Sequence, residues 1–88
     1  MDIVCRDGDT LVFVEVKTRS GTFFGRPAAA VGLDKQQLIA RGALVWLRML
    51  DHPDVLFRFD ILEIVVEQGK PEFNLIRNAF TLGDSYIY

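Results

Sequence analysis

Residues 9–19 read DTLVFVEVKTR. The run has the composition of a buried β-strand, yet Glu15 and Lys17 interrupt it two positions apart. Side chains alternate across a strand, so Leu11, Phe13, Glu15 and Lys17 share one face while Val12, Val14 and Val16 share the other. The valine face reads as core. The opposite face starts apolar and turns charged toward its end.

Upstream, residues 2–6 read as a short strand, and Asp7-Gly8 is a hairpin-turn signal because glycine tolerates positive φ. A two-residue turn at Asp7-Gly8 puts Asp2 opposite Phe13 and diagonal to Glu15. A four-residue turn puts Asp2 directly across from Glu15, and a three-residue turn sends it to the other face. In the first two registers Asp2 and Glu15 converge on one patch. Two carboxylates so placed repel each other and take up a proton or a cation. Mg²⁺ or Mn²⁺ suits oxygen ligands of this kind and leaves coordination positions for water and phosphate. Lys17 beside them could position an attacking water or neutralise charge on a phosphate. The plain structural alternative is a charged pair decorating a wet strand face.

Downstream, TRSGTFFGRPAAAVGL forms a long connection punctuated by glycine and proline. Asp34 reads as a helix N-cap, with Gln37 completing a capping-box pair. Ile39, Ala43, Trp46, Leu47 and Leu50 then recur at helical spacing, and Pro53 marks the stop after Asp51. VLFRFDILEIVVE is the longest strand candidate, and GKP turns the chain into a last strand around residues 73–80. The element order is β-β-α-β-β, and the strand–helix–strand unit makes strands 10–17 and 56–66 parallel.

The chain has 88 residues, which suits a single domain spanning 1–88 with one modest core. No apolar run approaches the ~18 residues of a membrane span. The lone Cys5 excludes an intrachain disulfide and suits a cytoplasmic protein. The net charge of −2 argues against bulk nucleic-acid binding, but the distribution is uneven. Lys17, Arg19, Arg26, Lys35, Arg41 and Arg48 fall in a segment whose only acid is Asp34. A basic surface on an acidic protein is one consequence; solvated loop and helix faces are the other. Phe23 and Phe24, inside the basic loop, could stack on exposed bases or simply anchor the loop. Asp60 could support a metal site or pair with Arg58 on its own face.

The segments MDIVCRDGDTLVFVEVKTR, FGRPAAAV, RFDILEI and LIRNAF together resemble the YraN-like family, small bacterial proteins related to Holliday-junction resolvases in the PD-(D/E)XK nuclease superfamily. The resemblance implies a restriction-endonuclease-like α/β fold and metal-dependent cleavage of branched or structured DNA. It carries the catalytic set onto Asp2, Glu15 and Lys17, and the metal ligands onto Asp2, Glu15 and the Val16 carbonyl. Arg19, Arg26, Lys35 and Arg41 are the expected DNA contacts, with Gln37 and Asp60 in support. The family pattern begins earlier than Met1, with a helix, a strand and a Gly-Glu pair. It also often has an acid where Ala29 stands. The expectation is therefore a shortened core, with activity reduced or lost and an exposed edge at residues 2–6 prone to self-association. A non-catalytic DNA-binding module and a protein-interaction domain are the alternatives.

Overall fold

The computed structural model describes residues 2–20, 31–51 and 55–81. The expectations at Phe23, Phe24, Arg26, Ala29 and Pro53 lie outside those residues. Four strands form one mixed sheet in the order β1-β2-β3-β4: β1 (Ile3–Asp7), β2 (Thr10–Ser20), β3 (Leu56–Glu67) and β4 (Lys70–Phe80). A single helix among the described residues, α1 (Leu33–Met49), follows β2 in the chain. The order is the expected β-β-α-β-β, with β1–β2 and β3–β4 antiparallel and β2–β3 parallel.

The helix packs on the Phe13 face of the sheet. Ile39, Ala43 and Leu47 meet Phe13 and Phe59 there, all nearly inaccessible to solvent. The Phe13 and Phe59 rings stack at 5.7 Å, Phe59 stacks on Phe80 at 4.8 Å, and Trp46 meets Phe13 edge-on at 6.1 Å. Such ring pairs add directional attraction to a burial that is already the main stabilising term. Ala40 and Leu44 are also buried, whereas Leu50 is exposed. The helix ends at Met49 and Leu50 is its C-cap, off the helical path that would have carried it to the core.

Both helix boundaries differ from the sequence reading. The N-cap is Gly32, in an extended conformation and without a side-chain cap, so Asp34 and Gln37 form no capping box. Asp34 lies instead inside the first turn, where its charge complements the helix dipole. At the other end Asp51 takes a left-handed φ of 62°, which halts the helix before residue 53 is reached.

Val12 and Val14 are buried on the opposite sheet face, as their alternation implies. That face also carries Ile3, Val66, Phe73 and Leu75, all exposed. The β3–β4 ladder is broken once: Phe59 pairs with Phe80 and Ile61 with Ile76, so residues 77–79 bulge opposite Asp60. Asn78 sits in the bulge at φ 51° and its backbone N–H donates to Asp60 Oδ1 at 2.9 Å.

Candidate functional site

The β1–β2 turn sets the geometry. Its two loop residues are Gly8 and Asp9, with Gly8 at φ 59°, and Asp7 pairs with Thr10. The turn therefore lies one residue later than the Asp7-Gly8 expected from sequence. Ile3 then pairs with Val14, the last pair of the ladder. Continued outward, this register would oppose Asp2 to Glu15, but the ladder stops at Ile3, and Asp2 turns its N–H toward β2 where a direct pair with Glu15 would turn it away.

Asp2 lies at the margin of β1 and is held twice. Its backbone N–H donates to the Val14 carbonyl at 3.0 Å, and its carboxylate Oδ2 accepts from the Val16 N–H at 2.8 Å. The side chain thus takes over the ladder where the strand stops. In an extended strand the N–H and C=O of one residue point the same way, so the Val16 carbonyl leaves β2 on Asp2's side.

Glu15 follows Phe13 on the helix face and is 7% exposed. A carboxylate this buried needs compensation. Lys35, in the first turn of α1, brings its Nζ to 3.0 Å from Glu15 Oε1. The hydrogen bond to Glu15 raises the Lys35 pKa above its ordinary value, with the Glu15 charge and then the Asp2 charge adding to the effect against desolvation. Lys17, half-buried, shares the face by alternation and stands beside Glu63 of β3 in the parallel register. Glu63 is itself buried and accepts from Arg19 Nη2 at 3.1 Å.

Glu15 and Lys17 therefore share one end of the helix face, and Asp2 lies at the β1 margin with its carboxylate on the Val16 N–H, near enough for its charge to act on Lys35. The other expected residues are placed differently. Asp60 pairs with Val14, on the opposite face from Glu15. There it is nearly fully buried, accepts from Arg58 Nε at 3.1 and 3.2 Å, and closes the bulge at Asn78. It supports the sheet, not the Asp2–Glu15 group. Gln37 is exposed, and the neighbouring Gln36 turns inward instead, donating to the Val31 carbonyl at 2.8 Å. Of the expected DNA contacts, Arg19 and Lys35 are engaged by Glu63 and Glu15, and Arg41 is exposed on α1. Glu63 was not among the expected residues. Only the parallel pairing of β3 with β2 brings it next to Lys17.

The donor set suits a hard divalent cation. Two carboxylates and a carbonyl are what Mg²⁺ takes from a protein when water and phosphate complete its shell. Among the described residues no group of three or more histidine, cysteine or acidic side chains is placed to hold a metal. Among the same residues no helix is long and apolar enough to cross a membrane.

Residues 1–64 match the family described as Uncharacterised protein family UPF0102. The chain is similar to a UPF0102 protein of Geotalea daltonii, 47% identical over 83 residues that make up 93% of this chain and 65% of the relative. It is similar to those of Geobacter metallireducens, 45% identical over 93% of the chain and 67% of the relative, and Nocardia farcinica, 42% identical over 91% of the chain and 64% of the relative. The chain spans about two thirds of the length of the relatives it matches.

Proposed function

The chain belongs to the uncharacterised protein family UPF0102, and from that premise we propose that it carries the core of a PD-(D/E)XK-type, metal-dependent endonuclease that hydrolyses phosphodiesters in branched or structured DNA in the cytoplasm. The observation that supports this most is the Asp2 carboxylate on the Val16 N–H, beside the strand that carries Glu15 and Lys17 on one face. In this reading Asp2, Glu15 and the Val16 carbonyl hold Mg²⁺ or Mn²⁺. The bound cation supplies Lewis-acid polarisation of the phosphate and a more acidic water. Lys17 supplies an N–H donor to the water or to a non-bridging phosphate oxygen as the new P–O bond forms and the bond to the leaving strand breaks. Arg19, Arg26, Lys35 and Arg41 supply positive charge along the DNA backbone, and a second copy pairs through an exposed sheet edge.

Cleavage of a synthetic four-way junction with Mn²⁺ at low salt tests the reading. Glu15→Gln and Lys17→Ala are each expected to reduce cleavage at least about a hundredfold while the junction is still bound. Variants that cut as well as the parent end the assignment. The Glu15–Lys35 ion pair favours one second reading, a DNA-binding module that keeps the fold without cleaving. Its outcome is salt-sensitive junction binding by a parent chain that cuts at no Mn²⁺ concentration.

A further inference from the structure

Resting on the two-carboxylate metal site proposed above, we infer that Lys35 is the resident cation of that site: its ammonium holds Glu15 in place and must move aside when a divalent cation binds. Three observations carry this. The first is contact, since Lys35 Nζ lies 3.0 Å from Glu15 Oε1, on the carboxylate a metal would use. An ammonium and a divalent cation sharing one carboxylate oxygen repel strongly at such separations, so the two compete.

The second is the asymmetry of burial. The Glu15 side chain is 9% exposed and that of Lys35 is 49% exposed. The carboxylate is fixed in the sheet, while the lysine reaches it from the solvent side on a flexible four-carbon stem. Lys35 can swing into water at little cost, whereas Glu15 has nowhere to go. The third is position. Lys35 starts α1, whose first turn lies over the charged end of β2, so departure of its side chain leaves the helix–sheet core at Phe13 untouched. A buried carboxylate is stabilised by a nearby counter-charge, and Lys35 supplies one at Oε1.

Mn²⁺ binding to the intact chain, read by electron paramagnetic resonance, tests the exchange without reference to cleavage. Lys35→Gln is expected to bind Mn²⁺ about three- to tenfold more tightly than the parent, because the competing charge is gone. Lys35→Arg, which keeps that charge, is expected to stay within about twofold of the parent. Glu15→Gln is expected to abolish binding. Equal or weaker binding by Lys35→Gln, with Glu15→Gln still inactive in binding, overturns the exchange and leaves the metal site standing. Mn²⁺ binding that is absent from every variant, or indifferent to Glu15→Gln, overturns both. A second readout uses the unmodified sequence, so no variant's folding enters. In ¹⁵N-lysine spectra, Mg²⁺ is expected to move the Lys35 ammonium signal toward that of free lysine. A signal that stays put through saturation overturns the exchange.

Discussion

Glu15 and Asp60 are both buried acids on neighbouring strands, and the face each occupies separates their work. Glu15 lies on the helix face, where Lys35 meets it from the first turn of α1. Asp60 lies on the other face and is spent on the sheet itself, accepting from Arg58 and from the Asn78 N–H in the bulge. Removing it strands the Asn78 N–H and leaves the Arg58 guanidinium with Asp7 as its remaining carboxylate partner. Asp60→Ala is expected to lower stability by about 1–3 kcal/mol, read by urea denaturation, and to leave Mn²⁺ affinity unchanged. Loss of Mn²⁺ binding in this variant would return Asp60 to the metal site. At this scale the shared face of Glu15 and Lys17 was legible from alternation along one strand, whereas the place of Asp2 depended on a turn length that the sequence left open. The partner of Glu15 was not. Nothing local in Leu33-Asp34-Lys35 shows which strand the helix start will cover.

At the scale of elements, turns decide register. The Gly8-Asp9 turn, with glycine at the first loop position and a positive φ, fits the right-handed twist of a hairpin and fixes Ile3 opposite Val14. The β3–β4 turn achieves the same with a less suitable residue. Gln68 at φ 52° and Gly69 at φ 76° both occupy the left-handed region, where a glutamine is strained and asparagine is favoured. Gln68→Asn is therefore expected to stabilise the chain by about 0.5–1 kcal/mol, seen as a raised urea midpoint with an unchanged slope. A lowered midpoint would mean that the Gln68 side chain contributes more than its backbone costs. The strands and the helix were legible from periodicity to within a few residues, but caps and turns were displaced. Asp34 resembled an N-cap by type, yet Gly32 holds the extended conformation that the position requires.

For the whole molecule, the helix covers one sheet face and leaves apolar side chains on the other. Ile3, Val66, Phe73 and Leu75 are exposed there, across both edge strands of the described sheet. An apolar face joined to the edge strands of the described sheet favours contact with a second copy. Sedimentation velocity is expected to show association rising with concentration, and Phe73→Lys with Leu75→Lys to shift it toward monomer. A monomer at all concentrations, or an oligomer indifferent to both changes, would rule out that surface.

The sequence alone determined the element order, the core faces of β2 and α1, and the placing of Glu15 and Lys17 on one face. All of these follow from periods of two and of about 3.6 residues, which are written locally in the chain. Tertiary structure alone decided that Lys35 meets Glu15, that Arg19 and Lys17 stand beside Glu63, and that Asp60 serves a bulge on the far face. Those pairs join residues that no periodic pattern links. They meet only because the parallel β2–β3 register and the seat of α1 are set by packing around Phe13, Phe59 and Ile39.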